Sequence, residues 1–127
     1  PRERIRFRNL LVELARERIV IFSTHIIEDI SSSCNMLAVL NRGKLCYFGA
    51  PQDMTRLAEG KVWQFKIEPA EFEALRNEHQ IIHHIRDGEK IRVRCLAAKK
   101  PVPEAKNVLP SLEDAYLWLL RKTEERE

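Results

Sequence analysis

The stretch I-V-I-F-S-T-H, residues 19–25, decides how this chain is interpreted. It begins with an apolar run rich in β-branched residues, and two small hydroxyl residues and a histidine follow. A short apolar run of this kind is typical of a buried strand in a parallel sheet. In open α/β sheets, ligands bind just outside the carboxyl ends of the strands. We therefore expect His25 to lie where such folds place functional side chains.

The flanking segments predict a helix before this stretch and a hairpin after it. Residues 2–16 place apolar side chains at helical spacing among arginines and glutamates. The residues after His25 include two carboxylates, which favour the start of a short helix. Two apolar runs, 36–40 and 45–48, flank a glycine-containing turn and predict a β-hairpin. Pro51 then opens a further helix, because proline is tolerated in a first helical turn.

The order of these elements resembles the C-terminal part of the ATP-binding domain of ABC transporters. The resemblance covers roughly residues 1–58 and includes the S-T-H segment and a G-A-P segment at 49–51. It departs from the family at Ala50, where serine or threonine is common, so no side-chain oxygen caps the following helix. The resemblance implies that residues 1–59 are an α/β remnant of a P-loop ABC ATPase domain. It also implies that His25 is the switch-loop residue that contacts the γ-phosphate of ATP.

The phosphate-binding motif of this family is missing from the chain. There is no G-x-x-x-x-G-K-[ST] loop, whose backbone amides would hold the phosphates of a nucleotide. The sequence therefore predicts a C-terminal fragment that neither binds ATP tightly nor hydrolyses it. ATP and Mg²⁺ are expected only in the intact parent, an ATPase subunit of the exporter type that couples hydrolysis to transport.

The resemblance also implies the parent's partners and location. These are transmembrane permease subunits and a second ATPase subunit, at the cytoplasmic face of the cell membrane. The strand at 19–22 would lack its neighbouring strands in the fragment, and unpaired backbone groups are unfavourable. We therefore expect the fragment to form a homo-oligomer that covers this edge.

Residues 60–127 predict a small accessory α+β domain with the order β-α-β-β-α. Its predicted elements are strands at 61–67, 80–86 and 90–97, a helix at 69–78, a loop at 98–110 and a final helix after Ser111. Asp87-Gly88 is a strong hairpin signal between the last two strands. In the final helix the predicted apolar stripe consists of Leu112, Ala115, Tyr116, Leu119 and Leu120, with Leu117 and Trp118 off it. This domain could instead be a stand-alone module that binds a small ligand or dimerises.

Other candidate sites have weaker signals. His79, His83 and His84 could bind a metal, but the last two would point to opposite faces of a strand and no carboxylate pair completes a site. Arg92, Arg94, Lys99 and Lys100 could form a basic edge for RNA, although a charged solvent-exposed face is the usual meaning and no stacking aromatic residues accompany them.

Composition agrees with an ordinary globular protein that has no nucleic-acid partner. The net charge is +3, from 22 basic and 19 acidic residues that are interleaved along the chain, so no strong field for polyanions results. The three cysteines, Cys34, Cys46 and Cys95, are widely spaced and odd in number. Reduced, packed thiols in a cytosolic protein are the expected state, because no zinc-ligand spacing is present.

Overall fold

A computed structural model describes residues 2–14, 16, 27 and 34–125 of the chain. The chain divides into two compact units, Pro1–Met54 and Thr55–Glu127. The described strands form two antiparallel sheets, one of two strands and one of four. A mixed α/β composition is thus confirmed. The predicted parallel strand at residues 19–22 lies outside the described residues, and the predicted boundary between residues 59 and 60 stays a prediction.

The first unit is built around a β-hairpin. Its elements are α1 (Arg2–Leu14), β1 (Leu37–Asn41) and β2 (Lys44–Gly49), and α2 (Pro51–Arg56) follows the hairpin. Arg42 and Gly43 form the two-residue turn with positive φ angles of 52° and 77°. Two positive φ angles in such a turn match the right-handed twist of the paired strands. The predicted hairpin and the helix that begins at Pro51 are confirmed.

The second unit contains a four-stranded sheet with strand order β4-β5-β3-β6. Its elements are β3 (Val62–Ile67), a 3₁₀ turn (Pro69–Glu71), α3 (Phe72–Glu78), β4 (Gln80–Asp87), β5 (Lys90–Leu96), β6 (Lys106–Asn107) and α4 (Leu112–Glu125). The predicted order of strand, helix, strand, strand and helix is confirmed. The predicted helix at 69–78 begins as the 3₁₀ turn, and one further strand is present.

One face of this sheet forms the core of the second unit. Val93 and Cys95 of β5 are almost completely buried, and Phe65 of β3 lies in the same cluster. Phe72 and Leu75 of α3 close this face. Successive side chains of a strand point to opposite sides, which is why the apolar residues of β5 meet α3 while its arginines point away. Alternation along β5 thus separates the buried side chains of Val93 and Cys95 from the side chains of Arg92 and Arg94.

The predicted loop at 98–110 is wrong over two residues, because Lys106 and Asn107 form β6. They pair with Gln64 and Trp63 of β3, respectively. A two-residue strand carries no periodicity, and the prolines around it indicate a loop. The pairing is therefore determined by β3 rather than by a local pattern.

The predicted apolar stripe of α4 is also wrong in part. The buried apolar residues are Leu112, Ala115 and Trp118. The other three residues of the predicted stripe, Tyr116, Leu119 and Leu120, are only half-buried. Trp118 is 6% exposed, and the cationic groups of Lys61, Arg121 and Lys122 lie 5.3–5.8 Å from the centre of its ring. Burial of this large ring sets the orientation of the helix more strongly than the regular spacing of its leucines.

In the described part of the chain, no helix has the length and apolar character needed to cross a bilayer.

Candidate functional site

The catalytic residue predicted from the sequence, His25, lies outside the described residues. Its contact with the γ-phosphate therefore stays a prediction. The described residues contain three arrangements of polar side chains that could matter for function. One joins the hairpin to α2 in the first unit, and two lie around the sheet of the second unit.

The first arrangement fixes the G-A-P segment against β2. The Tyr47 hydroxyl donates a hydrogen bond to the carbonyl oxygen of Ala50, at 2.8 Å. Gly49 lies directly under this side chain, and a Cβ added to Gly49 would be 2.7 Å from the Tyr47 hydroxyl oxygen. Burial, with a smaller contribution from the charge of Asp53, raises the pKa of Tyr47. The hydroxyl thus remains a donor, and Ala50 contributes through its backbone rather than through a capping side chain.

We predict that Gly49→Ala weakens the hairpin, because the new methyl group and the Tyr47 hydroxyl cannot occupy their positions together. The cost is about 1–3 kcal/mol of local opening free energy, the usual range for losing a hydrogen bond with some strain. Hydrogen exchange of the β1 and β2 amides measures this cost. In a Tyr47→Phe background the cost of Gly49→Ala should shrink, since the clashing oxygen is gone. An equal cost in both backgrounds would contradict this explanation.

The second arrangement is an open groove of about 560 Å³ along β4. It is lined by Arg76, His79, Gln80, Ile81, Ile82, His83 and His84. The backbone N–H of His79 ends α3 by donating to the carbonyl of Leu75 at 2.9 Å. The ring of His84 packs on Phe72 with 4.5 Å between centroids and an angle of 46° between planes. The groove therefore combines imidazole rings and one guanidinium with an apolar floor.

The groove does not bring the histidines together as metal ligands. His83 lies opposite Arg94 and His84 opposite Val93 in the pairing of β4 with β5, so the two rings belong to opposite faces of the sheet. Among residues 34–125 and the other described positions, no three His, Cys, Asp or Glu side chains are placed to hold a metal ion. The arrangement suits hydrogen bonding to a ligand or a strand better than coordination.

The third arrangement is a pair of arginine–carboxylate contacts on the sheet face opposite α3. Arg92 donates to Asp87 at 3.0 Å, and Lys66 contacts the same oxygen at 3.1 Å. Arg94 and Asp114 form the more buried pair, with side-chain exposures of 16% and 2%. Two nitrogens of Arg94 contact the two carboxylate oxygens, one pair being Nε and Oδ1 at 3.2 Å. This bidentate contact ties β5 to the start of α4.

Asp114 also caps α4. Its Oδ2 accepts the backbone N–H of Ser111 at 2.8 Å, and the Ser111 hydroxyl oxygen accepts the N–H of Asp114 at 3.1 Å. Burial acts to raise the pKa of Asp114, but hydrogen bonds from Arg94 and Ser111 outweigh it and hold the pKa below the usual range. The carboxylate is therefore charged at neutral pH, and it accepts hydrogen bonds from both Arg94 and the backbone of Ser111.

These contacts correct the interpretation of the arginines of β5. A solvent-exposed charged face was predicted for Arg92 and Arg94. Arg92 is exposed, at 53%, whereas Arg94 is mostly buried, and both guanidinium groups are paired with carboxylates. The start of the final helix after Ser111 was expected from the sequence, but the contact between the carboxylate of Asp114 and Arg94 was not. The S-x-x-D spacing was the available signal, because it places an acidic side chain at the buried start of a helix.

All three cysteines are among the described residues. None of Cys34, Cys46 and Cys95 forms a disulfide bond. Burial raises the pKa of Cys95 to about 11, so almost no thiolate is present at neutral pH. Cys95 therefore acts as a small apolar residue of the core.

Comparison with known proteins relates the chain to part of a transport ATP-binding protein. It is 28% identical over 135 residues to an uncharacterized ABC transporter ATP-binding protein of Bacillus subtilis, YhcH. The aligned region covers 93% of this chain and 42% of YhcH. It is 22% identical to a second one, YxlF of the same species, over 92% of this chain and 44% of YxlF. The chain thus spans less than half the length of these curated relatives. No protein-family model matches it, and no solved structure gives a significant match.

Proposed function

We propose that this chain is the C-terminal portion of an ABC transporter ATP-binding subunit whose parent couples ATP hydrolysis to membrane transport. The observation that carries the proposal is the extent of the similarity. More than nine-tenths of the chain matches two ATP-binding proteins, while less than half of each relative is matched. The S-T-H segment at 23–25 and the confirmed hairpin before the G-A-P segment support the same assignment.

In this proposal His25 supplies one contact to the nucleotide. Phosphoryl transfer depends on positioning and on stabilising the charge of the transferred group. A histidine N–H at the end of a strand can donate a hydrogen bond to a γ-phosphate oxygen. The sequence has no phosphate loop, and the described side chains form no metal cluster, so residues upstream of Pro1 would hold ATP and Mg²⁺. We therefore expect the 127-residue chain alone to be inactive.

The same proposal gives the parent its partners. Permease subunits and a second ATPase subunit would contact the intact protein at the cytoplasmic face of the membrane, and no nucleic acid is involved. The homo-oligomer expected for the fragment remains part of this proposal.

The sequence encoded upstream of Pro1 tests the assignment. A G-x-x-x-x-G-K-[ST] loop roughly 150 residues upstream, within the usual size of one domain, is the expected result. The longer protein should then hydrolyse ATP with Mg²⁺, and the 127-residue chain should show no turnover in the same assay. An upstream sequence without this loop, or magnesium-dependent hydrolysis by the short chain, would refute the proposal.

The alternative is a stand-alone module that binds a small ligand or dimerises through residues 60–127. The groove along β4 is the observation that favours it. The two functions differ in what lies upstream, because a stand-alone module needs no phosphate loop in the same gene.

A further inference from the structure

The outer side of β4 is an open edge in the four-stranded sheet. The strand order β4-β5-β3-β6 leaves two edges, and at one of them β6 has only two residues. At the other, β4 has eight residues, and no other described strand pairs with its outer side. Natural proteins protect such edges with short strands, lysine, proline or a bulge. β4 contains no lysine or proline, and its one register shift lies before His83, so residues 83–87 form a regular edge.

The side chains of this edge differ between the two sheet faces. His83, Ile85 and Asp87 lie opposite Arg94, Arg92 and Lys90 of β5, which places all three on the face away from α3. Ile85 is 57% exposed, although β-branched apolar residues favour a covered position in a sheet. The contacts of Asp87 with Lys66 and Arg92 both use Oδ2. The Asp87 Oδ1 takes part in neither contact.

We propose that β4 pairs with β4 of a second copy of this chain, antiparallel and centred on Ile85, to form one continuous eight-stranded sheet. The two copies are related by a two-fold axis perpendicular to the sheet. The same sheet face of each copy therefore lies on the same side of the combined sheet. Directly opposite residues must then share a face, so the pairing is centred on a single residue. This inference concerns the second unit and does not rest on the proposed ATPase parent.

The charges and apolar surface of β4 select the centre. Centred on Ile85, each exposed isoleucine covers the other, and His83 of each copy faces Asp87 of the other. An imidazole N–H is then opposite the carboxylate, and such cross-strand pairs stabilise a sheet. Centred on Arg86, two guanidinium groups would be directly opposed, which is unfavourable. Centred on His84, Ile85 would face His83 and lose its apolar partner.

Sedimentation equilibrium of the full 127-residue chain, from micromolar to millimolar concentration, measures the association. We expect a monomer–dimer equilibrium that Ile85→Lys weakens at least tenfold, because two ammonium groups would replace the apolar centre. The matched control is Leu109→Lys, at an apolar residue that is 84% exposed and follows β6, the strand at the opposite edge of the sheet from β4. It should leave the dissociation constant unchanged. A monomer at all concentrations, or equal effects of the two lysines, would overturn the proposal.

Variants at His83 test the charge pair without touching the core. His83→Asp opposes two carboxylates and should weaken the dimer several-fold, whereas His83→Lys keeps a donor opposite Asp87 and should not. Equal dissociation constants for the two variants would contradict this register.

Oxidative cross-linking tests the centre directly. With Cys34 and Cys46 changed to serine, Ile85→Cys should give a covalent dimer, because residues facing across the axis have Cβ atoms about 4.5–5.5 Å apart. Leu109→Cys is the control and should stay monomeric under the same oxidation. Association through another surface of the chain would leave both cysteine variants equally uncross-linked and would overturn the pairing.

Discussion

Replacing Asp114 by alanine should destabilise the second unit by about 3–5 kcal/mol, the range measured when one partner of a buried ion pair is removed. The side chain of Asp114 is 2% exposed, and its loss leaves the guanidinium of Arg94 with only the carbonyl of Leu109 as a hydrogen-bond acceptor. It also removes the acceptor for the Ser111 N–H at the start of α4. Since whole domains are stable by only about 5–15 kcal/mol, this is a large fraction of the total.

Urea unfolding followed by the fluorescence of Trp63 and Trp118 measures this loss, because both tryptophans lie in the second unit. The matched control is Asp87→Ala, which removes a carboxylate that is 33% exposed and also contacts two cations, whose own side chains are more than half exposed. It should change the midpoint far less, since exposed ion pairs contribute little. Similar losses for the two variants would contradict the importance of burial.

A double variant separates the unpaired charge from the lost cap. In Asp114→Ala combined with Arg94→Met, no buried cation is left without a partner, and part of the stability should return. The part that does not return estimates the contribution of the Ser111 cap. If the double variant is as unstable as the sum of its single changes, the pair is not coupled as the structure indicates.

The pH dependence of this pair has a definite sign. Because the pKa of Asp114 is lowered in the folded protein, its charged form stabilises the fold fully above the unfolded pKa of about 3.9. This contribution is lost as the pH falls through the lower folded pKa. The difference in stability between the native chain and Asp114→Asn should therefore be largest near neutral pH and shrink below about pH 4.

The sequence was sufficient where local chemistry determines structure. The hairpin around Arg42 and Gly43 and the turn at Asp87-Gly88 were predicted because short turns need residues that tolerate positive φ angles. The inward face of β5 followed from alternation along a strand. These features depend on neighbours within a few positions of the chain.

The features that the sequence did not predict depend on distant partners. β6 exists because β3 offers it backbone groups about forty residues earlier in the chain. The position of Trp118 is set by what α4 packs against rather than by helical spacing. Arg94 and Asp114 are twenty residues apart, and although the S-x-x-D spacing places Asp114 at the start of a helix, nothing in either local segment identifies Arg94 as its partner. The predicted role of His25 depends on still more distant residues, upstream of Pro1.

In the proposed longer parent protein, His25→Ala should lower the turnover of ATP about 10²–10³-fold, the effect of removing one hydrogen bond that stabilises transition-state charge. The KM for ATP should change much less, because other residues hold the nucleotide. His25→Gln keeps an N–H donor and should retain more activity than the alanine variant, whereas Glu89→Ala, in an exposed turn of the second unit, should leave turnover unchanged.

Steady-state ATPase measurements of the three variants, with ATP binding measured separately, distinguish a catalytic contact from a structural one. A lower kcat with unchanged nucleotide binding and partial recovery by glutamine supports the γ-phosphate contact, because only the transition state is affected. Unchanged turnover in His25→Ala would remove this residue from the mechanism. A parallel loss of ATP binding and of thermal stability would instead mean that the imidazole holds the strand in place, and the S-T-H segment would then be a packing feature of the domain.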